Sequence, residues 1–401
     1  MAIDAASSQN QALTQISKVS YIDQNAYQVS TPTDIILNEF QQHIARQTEL
    51  HAGYPYNLNY DYTALLPFLQ YTLNNLGDPF VNGNYGIHSR EFEKECIHWL
   101  AKLYELENPW GYVTTCGTEG NLYGLFLGRE LYEDGILYFS EDTHYSVKKA
   151  ARLYRIPYVV INSQPNGEID YEDLEQQLAT RQDKSAIVNI NLGTTLKGAV
   201  DRIEKTVDIL NRLNISFYIH CDGALAGLLL PFIDDAPRIS FKDYPIGSIA
   251  VSGHKFIGSP FPCGMVLARS EYVKKIEAII EYIGSTDTTI MGSRNGLAPL
   301  FLWYAINTRS NQFSKEVAAC IENARYFYNC LLQIGYSAML NDFSNTVVFE
   351  KPGIDLCHKW QLATQGDLAH IVVMQNVDKD KLDKFLDELL KDKITRSFYK
   401  A

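Results

Sequence analysis

A lysine that follows the apolar run Ile249-Ala250-Val251, and is flanked by Ser252, Gly253 and His254, stands where a strand hands over to a loop. Lys255 in such a place can form a Schiff base with a carbonyl compound when its surroundings favour the neutral amine. Upstream, His220-Cys221-Asp222-Gly223-Ala224 closes another apolar run on a carboxylate. Asp222 there can pair with a pyridinium nitrogen and keep an aromatic ring an effective electron sink, and the small Gly223 and Ala224 let a flat ring approach the backbone. A third segment, Thr114-Thr115-Cys116-Gly117-Thr118-Glu119-Gly120-Asn121, precedes a helical run to Tyr132. Hydroxyls and glycines ahead of a helix make an anion site from backbone N–H groups and the helix dipole. The segment lacks the spacing and the lysine of a nucleotide-triphosphate loop and is not a GxGxxG dinucleotide fingerprint. His144, after Thr143, can stack on an aromatic ring, and Thr194, within Asn191-Leu192-Gly193-Thr194-Thr195, can offer a hydroxyl to a ring substituent. Taken singly, each has an ordinary reading: a solvated lysine, an Asp or a Thr capping a helix, a loop histidine.

The elements that must position these groups follow from hydrophobic periodicity. Short β-branched runs at 135–139, 158–161, 186–190, 216–220, 249–251 and 265–268 alternate with amphipathic helical patterns at 145–154, 171–180 and 203–213. That alternation predicts parallel strands with crossover helices, an α/β sheet with its ligand at the carboxyl ends of the strands. Three helices are expected before it, at 33–49, 62–76 and 91–104, after some 30 loosely patterned residues that read as an extension or arm. Beyond about Ala298 a helix at 316–332, strands at 345–349 and 371–374, and a last helix at 379–391 read as a smaller α+β domain. The expected division is 1–50, 51–297 and 298–401. The chemistry-bearing segments then all fall at strand ends: an anion cradle, a stacking ring, a hydroxyl, an Asp and a Lys, in the order a fold-type I pyridoxal-phosphate (PLP) enzyme requires.

The bulk properties narrow the class of partner. A net charge of −12 in 401 residues argues against a generic nucleic-acid binder, which needs clustered Lys and Arg. No apolar run approaches the roughly 20 residues of a membrane span. Met1 to Ser20 has neither the basic start nor the apolar stretch of a signal peptide. Seven scattered cysteines, with no CxxC and no zinc-like spacing, fit reduced thiols in a cytoplasm and give no metal site.

Over residues 51–390 the chain resembles the group II PLP-dependent amino-acid decarboxylases, in the branch of bacterial histidine decarboxylases and plant serine decarboxylases. The likeness rests on YVTTCGTEGN (112–121), DTHYSV (142–147), NLGTTLKGAVD (191–201), HCDGAL (220–225) and SGHKFIGSPFPCG (252–264). It implies fold type I, with Lys255 as the Schiff-base lysine, Asp222 on the pyridine nitrogen, and His144 and Ala224 on opposite faces of the ring. It further implies a phosphate cradle from Thr115, Cys116 and Gly117 with Ser252 and His254 nearby, and Thr194 against the phenolic oxygen. A homodimer with its active site at the interface is implied as well, covered by a mobile loop assigned to 282–296, where Tyr282 is a candidate proton donor beside Lys255. Tyr54, in Gly53-Tyr54-Pro55, is expected near the substrate entrance.

Three further stretches, 74–93, 288–304 and 360–374, are closer to the serine branch. Leu297 replaces the His expected after SRNG and is taken as a substrate-side position. The resulting expectation is decarboxylation of a small L-amino acid, L-serine to ethanolamine, with L-histidine to histamine as the alternative. An aminotransferase, with Arg294 as carboxylate clamp, and an inactive PLP-binding protein are the remaining readings.

Overall fold

The structure, a computed structural model, describes residues 33–400, with side chains to Arg396. The arm expected over the first 30 residues lies outside the described residues. The chain divides into two compact units, one ending at His51 and the other beginning at Ala52. The first contains the expected helix, Thr33–Glu49.

The second unit is built on a seven-stranded sheet. Its strands are β1 (Pro109–Thr114), β2 (Ile136–Ser140), β3 (Tyr158–Ile161), β4 (Ala186–Asn191), β5 (Phe217–Asp222), β6 (Ile246–Ser252) and β7 (Gly264–Arg269), in the spatial order β1-β7-β6-β5-β4-β2-β3. β7 is antiparallel to both neighbours, and every other pairing is parallel, so the remaining six strands share one direction. Side chains alternate between two cores, as the period of a strand demands. Val188, Ile190, Ile219 and Met265 face one core and Ile187, Tyr218, Val266 and Ala268 the other. Register aligns the carboxyl ends: Asn191 lies beside Asp222 and Asp222 beside Ala250, while Thr114 and Ser252 both pair with Gly264.

The helix Gly117–Leu131 lies on the second face and approaches it unusually closely. Gly120, Gly124 and Gly128 form the contacting stripe; a Cβ on Gly124 would stand 2.1 Å from His220 Nδ1. A register shift between β5 and β6 carries the pairing from Ile219–Ile246 to His220–Ser248, so that Gly247 has no partner in β5. Such a bulge re-aims side chains, and here it sets Ser248 opposite His220.

A hairpin, β8 (Ala278–Ile280) and β9 (Ser285–Asp287), follows, then a four-stranded antiparallel sheet of β10 (Ala338–Leu340), β11 (Thr346–Glu350), β12 (Ala363–Gln365) and β13 (Leu368–Val372). Phe327, Phe349, Trp360 and Phe385 pack edge to face in its core at centroid distances of 5.2–5.8 Å.

Several expectations are corrected. The helix expected over 62–76 is a 3-10 segment, Thr63–Gln70, because Pro67 sits inside it and has no N–H to continue an α-helix. β1 went unread because Pro109 and Gly111 depress strand propensity; Gly111 is required where a Cβ would lie 2.3 Å from Val266 O. The helix Leu297–Arg309 was missed because it buries residues on nearly every side and carries no amphipathic signal. Residues 282–296 are not one free loop. They begin in the β8–β9 turn and continue as a stretch tied down by Thr288 Oγ1 to Asp78 Oδ2 (2.7 Å) and by Arg294 to Gly77 O (3.0 Å).

Candidate active site

Lys255 lies in a π-helical turn, His254–Gly258, directly after β6. A π-turn satisfies its own carbonyls poorly, and here donors from elsewhere take them. Asn57 N donates to Lys255 O (3.1 Å), Asn57 Nδ2 and Gln375 Nε2 to Phe256 O (3.1 and 3.0 Å), Arg309 to Ile257 O (2.7 Å) and the Tyr62 hydroxyl to Gly258 O. The lysine backbone is thereby fixed while its side chain stays partly exposed. Protein crowds the ammonium, and this desolvation depresses its pKa, with Asp222 and Cys116 opposing the shift. No ion pair to Lys255 occurs among the described residues. The result is an amine biased toward its neutral, nucleophilic form.

Asp222 ends β5 with 7% exposure. Its Oδ1 accepts from Ala224 N (3.2 Å) and its Oδ2 from Asn121 Nδ2 (2.6 Å). The same amide nitrogen donates to Ser146 Oγ (2.9 Å), and Ser146 Oγ lies 2.7 Å from His144 Nδ1. On its other side Asn121 Oδ1 is 3.0 Å from His220 Nε2. His144 caps the helix Tyr145–Tyr154, accepting from Ser146 N (3.3 Å). Burial lowers the His144 pKa most; Asp222 raises it, and Lys255 and Lys149 lower it. Lys255, Asp222 and His144 therefore act on one another electrostatically.

The cradle is narrower than expected. A Cβ on Gly117 would meet Ser252 Oγ at 2.5 Å and Ala224 Cβ at 3.5 Å, so Gly117, Ser252 and Ala224 converge at the N-terminus of the helix Gly117–Leu131. Thr115 differs: its N–H and its hydroxyl both donate to Glu119 Oε2 at 2.7 Å, leaving it no donor for a phosphate. Thr194, in the turn after β4, is 4% exposed, and its hydroxyl oxygen accepts from Ala199 N (3.0 Å). His254 Nδ1 is held by Cys263, and its ring lies 5.7 Å from that of Tyr56, which in turn stacks on Tyr54 at 6.3 Å. Tyr54 thus belongs to an aromatic edge leading to the π-turn.

Three assigned residues stand apart from this cluster. Tyr282 is 85% exposed in the β8–β9 turn. Leu297 opens its helix and packs against the hydrophobic core. Arg294 is buried and ion-paired to buried Glu93, so the carboxylate clamp of the aminotransferase reading is already engaged. Sequence reasoning also passed over Asn121, Ser146 and His220. The signal for His220 was present, since positions 220 and 222 share one face of a strand.

The donor set fits pyridoxal phosphate. Helix N-terminal amides and Ser252 suit the phosphate, Asp222 the pyridine nitrogen, His144 a ring face and Lys255 the carbonyl carbon. Gly117 keeps open the space that a Cβ would fill.

Comparison with known proteins agrees with that geometry. Residues 88–350 match the model of the pyridoxal-dependent decarboxylase conserved domain. Serine decarboxylase 1 of Oryza sativa subsp. japonica is 50% identical over 366 residues, 90% of this chain and 76% of the relative. A histidine decarboxylase of Solanum lycopersicum is 46% identical over 369 residues, 90% of this chain and 89% of the relative. Among solved structures, L-methionine decarboxylase from Streptomyces sp. 590 superposes with a TM-score of 0.83 at 26% identity, covering 94% of this chain and 98% of that one. With its fold-type I sheet and this cluster of residues, the chain belongs to the pyridoxal-dependent decarboxylases, carboxy-lyases that act on amino acids with PLP as cofactor.

Proposed function

We propose that the protein converts L-serine to ethanolamine and CO2. The observation that carries this reading is the graded similarity: three serine decarboxylases of Oryza sativa subsp. japonica at 49–50% identity, against 46% and 42% for the histidine decarboxylases of Solanum lycopersicum and Morganella morganii. Bound in the site, PLP supplies the sink for the electron pair released when the bond between Cα and the carboxylate breaks.

The chain's own residues do the rest. Lys255 would anchor the cofactor through its amine, which is then free to move a proton at the substrate. Asp222 would pair with the ring nitrogen and keep it protonated, His144 and Ala224 would hold the two faces of the ring, and Thr194 would serve its phenolic oxygen. Cys116 and Gly117 would offer backbone N–H groups to the phosphate, with Ser252 and His254 beside them. After CO2 departs, Lys255 would return a proton to the carbon that has lost the carboxylate; Tyr282, exposed in the β8–β9 turn, could share that role only if the turn closes over the site. Two copies form a homodimer with the site at their interface, and the protein works in the cytoplasm.

Histidine is the second reading, favoured by the 46% identical relative. Product analysis of the PLP-loaded protein with L-serine and L-histidine side by side separates the two. Ethanolamine alone is expected. Histamine alone would replace the substrate, and a keto acid in place of amine and CO2 would overturn decarboxylation.

A further inference from the structure

Behind Asp222 runs a chain of buried polar groups that the family assignment does not use. Asp222, Asn121, His220, Ser248, Ser146 and Tyr218 are all at most 7% exposed. The Tyr218 hydroxyl donates to Ser248 Oγ at 2.6 Å, and Ser248 Oγ lies 2.8 Å from His220 Nδ1. In the order of contact the chain reads Tyr218, Ser248, His220, Asn121, and there it forks to Asp222 and, through Ser146, to His144.

The chemistry of its members gives this chain a direction. A carboxylate accepts hydrogen bonds and donates none, so the Asn121 atom facing Asp222 is the amide nitrogen. The amide oxygen then faces His220 Nε2, which must donate to it. Burial drives the His220 pKa down to about 4, with Asp222 opposing, so the ring is neutral and its Nδ1 accepts from Ser248. On the other branch Ser146 Oγ accepts from Asn121 and keeps its own proton free to donate to His144 Nδ1. The Ser146 backbone N–H, which cannot accept, points at the same nitrogen. Nδ1 of His144 therefore carries its lone pair, and the single proton of the neutral ring resides on Nε2. The charged groups acting on this histidine are Asp222, Lys255 and Lys149, and the one acting on His220 is Asp222.

We propose that Asn121 and His220 are positioning residues that fix Asp222 and His144 together through one directed chain of hydrogen bonds, holding His144 as its Nε2–H tautomer. The ring over the cofactor thus offers a ligand one donor, Nε2–H, and the carboxylate on the pyridine nitrogen is kept oriented by the same amide. The PLP-enzyme assignment underlies this proposal, whereas the identity of the amine produced does not.

The test is the tautomeric state of the imidazoles in PLP-loaded protein labelled with 15N-histidine. The chain has nine histidines, and His144→Gln and His220→Gln assign the two signals. The expected result is a proton on Nε2 of both rings between about pH 6.5 and 8.5. A proton on Nδ1 of His144, or an imidazolium throughout that range, would overturn the proposal, and neither reading requires a variant of Asn121 to fold.

The second readout is the visible absorption of the bound cofactor as a function of pH. Asn121→Leu is expected to move its midpoint by about one pH unit and to lower kcat about tenfold with KM within about twofold. His220→Gln, which keeps an N–H near the Nε2 position, should shift the midpoint far less than His220→Leu. Titrations of Asn121→Leu and wild type that superimpose would remove Asn121 from the chain. Because tautomers and absorption are read without turnover, failure of the serine assignment leaves them standing.

Discussion

Two clusters of charge in the second unit are built on opposite principles. Beside β1, Glu93 is saturated: Oε1 accepts from Val113 N at 2.8 Å and pairs with Arg294, and Oε2 accepts from Asn75 at 2.8 Å. Arg294 also donates to Gly77 O and lies over the Tyr112 ring at 5.3 Å, its Nε being the one guanidinium nitrogen without a partner among the described residues. At the ends of β5 and β6, Lys255 is crowded by protein and destabilised as an ammonium, with no ion pair among the described residues. Desolvated charge that is ion-paired holds segments together, whereas desolvated charge left without an ion pair stores reactivity. The comparison separates the ion-paired Arg294 from Lys255, whose amine is left without an ion pair among the described residues.

The sharpest way to break this contrast is Lys255→Met. It is expected to cut turnover by about a thousandfold or more while raising the Tm of the cofactor-free protein, because an under-partnered charge is replaced by a packed thioether. Arg294→Met should do the reverse. Leaving Glu93 buried and unpaired costs about 3–5 kcal/mol, read by chemical denaturation, with kcat per folded molecule changed little. A thousandfold loss of kcat in Arg294→Met would erase the distinction.

A third prediction concerns pH. The His220 pKa is depressed to about 4 by burial, below its value of about 6.5 in an unfolded chain. The unfolded state therefore binds more protons between those values, and stability falls as pH drops from about 6.5 toward 4. Buried Asp201 acts with the opposite sign. Burial raises it to about 7 against several hydrogen bonds, so its contribution weakens as pH rises toward 7. Subtracting His220→Gln from wild type cancels Asp201, and the difference should amount to about 2 kcal/mol between pH 7 and pH 5. A pH-independent difference would mean that His220 is not buried as the neutral ring.

The smallest expected effect is at the cradle. Gly117→Ala places a Cβ 2.5 Å from Ser252 Oγ and should weaken PLP affinity about tenfold, measured by quenching of intrinsic fluorescence. Unchanged affinity would move the phosphate away from Gly117.

How far the sequence led varied with the kind of signal. Strands β2 to β7 were legible because each is a short apolar run bounded by turns, and Lys255, Asp222 and His144 were legible because each stands just past such a run. Resemblance then supplied roles that spacing alone left open. What stayed hidden depended on three-dimensional partners. Thr115 reads as a phosphate donor until Glu119, one helical turn on, takes both its hydrogens. Arg294 reads as a free cation until Glu93, 201 residues away, is seen against it. Asn121 is one polar residue in a glycine-rich helix, and its importance comes from β5 and the helix Tyr145–Tyr154 meeting around it. Helix Leu297–Arg309 escaped for the opposite reason, since burial on most sides removes the polar face that periodicity needs.

The most direct test of the contrast between the two clusters is to locate the cofactor chemically. PLP-loaded protein is reduced with borohydride, digested, and mapped for pyridoxyl-lysine by mass spectrometry. The label is expected on Lys255, in the peptide containing Ser252-Gly253-His254. A label on another lysine, with Lys255 unmodified, would contradict the account.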